Sequence, residues 1–181
     1  KVRSDDSDYS IEIALTAKAP YLTDAILIEM VNSNMANYRK RNVLNLHYPV
    51  SDEVISNMVN SPYSIAPYIL RDAMINSAGV SESILIQYFK DNEQPSWAIA
   101  EVAEANSPLT DNEMLSILGR NQTLEPYRLW KFLQWNTPLS GEVMNALLSL
   151  DPPTAEWVIN KINSSAFISG DPSIRAKQNK S

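Results

Sequence analysis

A chain of 181 residues with 44% apolar and 20% charged side chains is long enough and apolar enough to bury a core of its own. Its formal net charge of -6 argues against nucleic acid as a partner, because affinity for phosphates rests on Lys and Arg. The lack of cysteine excludes a disulfide framework and thiolate metal sites, and no run approaches the roughly 18 apolar residues of a membrane span.

In chain order, residues 1–8 are polar, carry Asp5, Asp6 and Asp8, and read as a flexible amino-terminal segment. Tyr9-Ser10-Ile11-Glu12-Ile13-Ala14-Leu15 then opens an apolar-periodic helix over about 9–18, closed by Ala19-Pro20. From Thr23 onward one motif recurs. Its fullest copy is Leu109-Thr110-Asp111-Asn112-Glu113-Met114, in which Thr110 and Glu113 form a capping box and Leu109 with Met114 a hydrophobic staple. The cap position falls at Thr23, Ser51, Ser81, Thr110 and Ser140, spaced 28, 30, 29 and 30 residues apart. The staple pairs are Leu22 with Leu27, Val50 with Ile55, Val80 with Leu85, Leu109 with Met114, and Leu139 with Met144. Apolar residues return seven and eight positions after each cap, from Met30 and Val31 to Leu147 and Leu148, which with the staples marks one helical face. A fixed period near 30 is the mark of a repeat array.

A second ladder, eleven residues before the Pro or Ala that closes each unit, gives Tyr9, Tyr38, Pro67 beside Tyr68, Trp97 and Tyr127, with Trp157 one period on. It marks a second helix in every repeat. First helices are expected near 24–32, 52–60, 82–91, 111–119 and 141–149, and second helices near 9–18, 36–46, 66–76, 96–105, 127–136 and 154–163. His47, Asn76, Asn106 and Asn136 stand where second helices stop, Asn being tolerant of the left-handed conformation. Short loops between short helices require antiparallel neighbours. The fold expected is therefore all-α, an α-solenoid of about five antiparallel helical hairpins over residues 9–164, beginning with the second helix of an incomplete repeat. Residues 165–181 read as a polar tail or linker. The half-repeat start, and a first residue other than Met, suggest a processed chain or a piece of a longer one.

Catalytic patterns are sparse. His47, the single histidine, occupies the helix-end rung that Asn holds in the next repeats. Glu101 and Glu104, or Asp52 and Glu53, are expected on solvated helix faces rather than as acid–base pairs. The four glycines lie singly, without a phosphate-cradling pattern. No enzymatic function, cofactor or metal is expected. The aromatic ladder is the candidate binding feature: Tyr38, Trp97, Tyr127 and Trp157 would either line a groove for a peptide or glycan or, as helical-spaced aromatics usually do, wedge between helices of the core. The cluster Tyr127, Trp130, Phe132 and Trp135 goes round its helix and calls for neighbours on more than one side. Ile11, Ala14 and Leu15, on the unpaired first helix, are candidates for self-association with the last hairpin of another copy.

The stretches Ala19-Pro20-Tyr21-Leu22-Thr23-Asp24-Ala25-Ile26-Leu27-Ile28, Pro49-Val50-Ser51-Asp52-Glu53-Val54 and Pro138-Leu139-Ser140-Gly141-Glu142-Val143 resemble helical repeats in large secreted proteins of Bacteroidetes, which often carry a sorting domain of the type IX secretion kind. The resemblance covers about residues 9–163, transfers no catalytic residue and implies an extracellular or cell-surface setting. The functional expectation is a non-enzymatic scaffold or protein-binding and assembly module, partnered by another protein or by itself. The alternative is an accessory domain of a polysaccharide- or peptide-processing enzyme whose aromatics bind substrate.

Overall fold

The computed structural model describes residues 4–18 and 22–169, and among them all regular structure is helical. The first helices of the hairpins are α2 (Asp24–Val31), α4 (Asp52–Val59), α6 (Glu82–Lys90), α8 (Asp111–Leu118) and α10 (Gly141–Leu148). The second helices are α1 (Ser4–Ala17), α3 (Asn37–Leu44), α5 (Pro67–Asn76), α7 (Ser96–Ala105), α9 (Pro126–Leu133) and α11 (Pro152–Ser169). α1 starts earlier than its apolar period suggests, and α11 runs on through Ser169, into the stretch expected to be tail. Pro20 and residues 170–181 lie outside the described residues.

The caps explain where the first helices begin. Thr110 accepts the Glu113 N–H at 3.3 Å while the Glu113 carboxylate accepts the Thr110 N–H at 2.7 Å, so both halves of the capping box are made. Ser51 and Ser140 accept the third N–H of their helices at 3.4 and 3.3 Å. Thr23 makes no such bond. Helix ends, however, differ from the expectation: among the described residues no side-chain-bearing residue has a positive φ. Asn106 closes α7 at φ -95°, ψ 4°, and its carboxamide donates back to the Val102 carbonyl. A side-chain amide reaching back one turn satisfies an orphan carbonyl, so no left-handed residue is needed. The prolines that follow sit in cis peptides at Tyr48-Pro49, Ser107-Pro108 and Thr137-Pro138, whereas at Ala78-Gly79 the chain turns through Gly79 at φ 74°.

The chain divides into two compact units, Lys1–Ile84 and Leu85–Ser181. In the first, α1, α3 and α5 pack side by side as one layer, and α2 and α4 form the other. In the second, α9 lies between α7 and α11, and α8 packs on α10. In both units helices thus pack on their counterparts one repeat along, in series. The first unit buries Leu27, Val31, Val43, Leu44, Val54, Ile55, Met58 and Ile69 between its layers; the second buries Phe89, Ile99, Val102, Ile117, Phe132, Leu133, Val143 and Leu147. Each large aliphatic side chain removed from water contributes about 1.5–3 kcal/mol, so packing, not helix propensity, holds helices this short.

Hydrogen bonds at the repeat spacing fix the register of neighbours. The Val50 N–H donates to Ser77 Oγ at 3.1 Å, and the equivalent Leu109 N–H donates to Asn136 Oδ1. Asn37 bridges to the next hairpin by donating to the Ser64 carbonyl at 3.0 Å and accepting the Ala66 N–H at 3.2 Å. Two buried cations close the hairpin loops. Lys40 Nζ donates to the Val31 and Ser33 carbonyls at 2.9 and 2.7 Å, capping the carboxyl end of α2, and burial lowers its pKa from the ordinary lysine value. Arg120 donates to the carbonyls of Phe89, Asp91 and Gln94 at 2.6, 2.7 and 2.8 Å, doing the same for α6. A cation at a helix carboxyl end also meets the negative pole of the helix dipole.

Candidate interaction surface

The ladder rings turn outward. Tyr9, Tyr38, Tyr127 and Trp157 are 55%, 52%, 57% and 38% exposed, and Tyr68 and Trp97 are half-buried, so the expectation that these rings mostly wedge into the core is corrected. The reason lies in what fills the hairpins instead. Met35, Ile65 and Leu124, each in the loop just before a second helix, are buried and seal that end of the hairpin. They recur near the repeat period, and that was the missed signal. With the loop aliphatics inside, the ring near the start of each second helix is left on the far side of the layer.

In the first unit the rings are laced with arginine. The Arg39 guanidinium lies 5.1 Å from the Tyr9 ring centre and 5.0 Å from that of Tyr38, and it donates to Glu12 at 2.7 Å. Glu12 also accepts from Asn42 at 2.7 Å, which ties α1 to α3 through a pair that is largely shielded from water. Arg41 stands 5.2 Å from the Tyr68 ring and 3.3 Å from Asp72, a carboxylate that Arg71 also holds. Arg39 and Arg41 are thus each both over a ring and beside a carboxylate. Beneath them Tyr48 is half-buried, and burial first, then the Asp72 charge, raises its phenol pKa well above the ordinary value.

In the second unit the rings cluster over α9 and α11. Tyr127 and Trp130 are 5.5 Å apart, centre to centre, at 47°. Lys161 Nζ lies 5.9 Å from the Trp130 ring and 6.0 Å from that of Trp157. Trp157 reaches this position because α11 opens at Pro152, earlier than the repeat spacing from Pro126 would place it. The neighbours called for by the aromatic girdle of α9 are there: α7 on one side, α11 on the other, with Phe132 fully enclosed. Lys131 pairs with Glu104 on α7 at 2.8 Å, and Arg128 with Glu125 at 2.8 Å. The Glu125 carboxyl is held below its usual range by its own backbone N–H, helped by Ser96 and Arg128 against the effect of burial.

The remaining candidates take simpler places. The His47 N–H donates to the Leu44 carbonyl at 2.8 Å, closing the turn after α3, as its helix-end rung implied. Asp52 accepts the Ser81 N–H at 3.2 Å, so this carboxylate joins two successive helix starts instead of standing free on a solvated face. Among the described residues no group of three or more acidic or histidine side chains could hold a metal ion, and no helix is long and apolar enough to cross a membrane. On α1, Ile11 is 48% exposed, Ala14 exposed and Leu15 half-buried. In the last hairpin an open pocket of about 350 Å³ is lined by Pro138, Leu139, Met144, Ile159 and Ile162. Its staple residues Leu139 and Met144 are only half-buried, unlike Leu109 and Met114.

No protein family, curated protein or solved structure matches the chain.

Proposed function

We propose that this chain is a non-enzymatic helical-repeat module that holds a protein partner through the exposed rings on the second helices of its units. The observation that carries the reading is the exposure of Tyr9, Tyr38, Tyr127 and Trp157, the last three on helices that bury apolar side chains elsewhere. Rigid Tyr and Trp side chains give large contact area at small entropic cost and dominate the energetics of protein interfaces. Their outward direction is also what the alternative, a substrate-binding accessory domain of an enzyme, requires. That alternative further calls for a carboxylate of raised pKa beside the rings, and Glu125, two residues before Tyr127, is shifted the other way. The setting outside the cell, on its surface or secreted, comes from the resemblance of the repeat starts and belongs to the same proposal.

Affinity capture from the source cells and their medium tests the reading, with the wild-type chain against a Tyr38→Ser, Tyr127→Ser, Trp157→Ser triple variant. Because these side chains are exposed, the variant keeps the wild-type circular dichroism. A protein retained by the wild type and lost from the variant is the expected result. Retention of a glycan in its place moves the chain to the alternative. Self-association is the second form of the reading, motivated by Ile11 on α1 and the open apolar end of the last hairpin. Mass measured over a concentration series would rise for the wild type and stay monomeric for Ile11→Glu; a concentration-independent wild-type monomer removes it.

A further inference from the structure

Resting on the protein-binding reading, we infer that the α9/α11 face of the second unit binds an acidic, proline-rich peptide segment in the polyproline II conformation. Three features of the face select that occupant. The first is the aromatic surface itself: Tyr127 and Trp157 are exposed on neighbouring helices, with Trp130 half-buried between them and Tyr127 against it. Aromatic-lined clefts are the recurrent receptor for proline rings, which stack without losing hydrogen bonds they never had.

The second is spacing. Packed helices lie about 8–10 Å apart, and one turn of polyproline II, three residues at about 3.1 Å each, advances about 9 Å. The Trp130 and Trp157 ring centres lie 5.9 and 6.0 Å from Lys161 Nζ, hence at most about 12 Å apart, a span that one such turn can cross. A fully extended strand repeats its side-chain direction every two residues, about 7 Å, and falls out of step with the two helices.

The third is charge. Arg128 and Lys131 on α9 are neutralised by Glu125 and Glu104. Lys161 lies between the two indoles, exposed, and no carboxylate of the described residues pairs with it. An ammonium set between two proline-sized apolar surfaces fits a carboxylate placed one residue from each proline pair. On a chain of net charge -6 such a cation is also the place where an acidic partner is repelled least. The polyproline II segment is already extended before binding, so little ordering entropy is lost and a small face suffices.

The test is a tryptophan-fluorescence titration of the full chain with a capped peptide repeating Pro-Pro-Glu, alongside peptides repeating Gly-Ser-Glu and Pro-Pro-Lys, and polygalacturonate. The expected result is saturable binding of the Pro-Pro-Glu peptide alone. Trp157→Ala or Tyr127→Ala should weaken it by about tenfold or more, the loss typical of a central aromatic anchor. Because Trp157→Ala also removes a reporter, its affinity is read by calorimetry. Lys161→Glu should reverse the preference toward Pro-Pro-Lys, a readout that mere misfolding would not give, and Leu46→Ala, at an exposed side chain of the first unit outside the ring set, should leave binding unchanged. No saturation by Pro-Pro-Glu, equal binding of Gly-Ser-Glu, or binding of polygalacturonate instead would overturn the inference. A protein captured through the rings but indifferent to proline would overturn this inference alone and leave the binding-module reading standing.

Discussion

Replacing Arg120 by alanine tests whether buried cations at the hairpin loops hold the stack together. Its guanidinium is the donor to three main-chain carbonyls at 2.6–2.8 Å, and the residue is 7% exposed. A hydrogen bond to a charged group contributes about 1.5–3 kcal/mol net, and three of them are less than additive because one side chain makes all three. Against this stands the cost of burying the charge, visible in the lowered Arg120 pKa, whose largest cause is desolvation. The balance is a loss of about 3 kcal/mol for Arg120→Ala. Arg120→Lys keeps the charge but not the fork, and should lose roughly half of that. Arg128→Ala serves as the control, since its pair with Glu125 is open to water and such pairs give at most about 1 kcal/mol. Urea unfolding followed by tryptophan fluorescence measures all three. An Arg120→Ala chain as stable as the Arg128→Ala chain would refute the reasoning.

Adjacent leucines in α10 give a second check: Leu147→Ala should cost about 2–5 kcal/mol as a fully buried truncation, and Leu148→Ala, at a side chain 56% exposed, under about 0.5. Among the caps, Thr110→Ala should cost about 0.5–2 kcal/mol by thermal unfolding because both capping-box bonds are made, while Thr23→Ala, with no side-chain bond to lose, should cost a few tenths. Tyr48 sets a pH dependence. Its phenol pKa is raised in the folded chain above the ordinary tyrosine value of 10.0, so the folded state holds its proton where the unfolded state releases it. That contribution is complete below about pH 10 and is lost as pH rises past it. Tyr48→Phe should therefore show a shallower fall in stability between pH 10 and higher values, measured against the wild type in the same buffers; parallel curves would contradict the assignment.

The helix starts were legible because capping and staple chemistry is local: Thr110, Glu113, Leu109 and Met114 declare one another within a single turn, and the period carries them along the chain. Helix ends were less so. His47, Asn76, Asn106 and Asn136 mark the right places, but the same residue types can end a helix by a left-handed turn or by a side-chain bond, and only the three-dimensional neighbourhood chooses. Asn136 is the clearest case, since it joins the Phe132 carbonyl of its own helix, Ser107 at the end of the preceding hairpin and the Leu109 N–H at the start of its own. The ring direction was misread for a related reason. An aromatic at helical spacing is apolar enough for a core, yet the core was already filled by Met35, Ile65 and Leu124 from loops that carry no helical period. Arg39, Lys40 and Arg120 carry no local mark of burial in sequence; their partners are carbonyls, rings and a carboxylate that only the packing of the helices brings near.

Hydroxyl-radical footprinting, read residue by residue by mass spectrometry on the free chain and on the chain loaded with its captured partner, tests most directly the claim that the outward rings of each unit bind the partner. In the free chain Tyr9, Tyr38, Tyr127 and Trp157 should label fast and Tyr88, Phe89 and Phe132, which are 1%, 0% and 0% exposed, slowly. Partner binding should slow labelling at the outward rings and leave the buried ones as they were. Rings protected in the free chain, or outward rings labelled equally fast with the partner bound, would contradict the account.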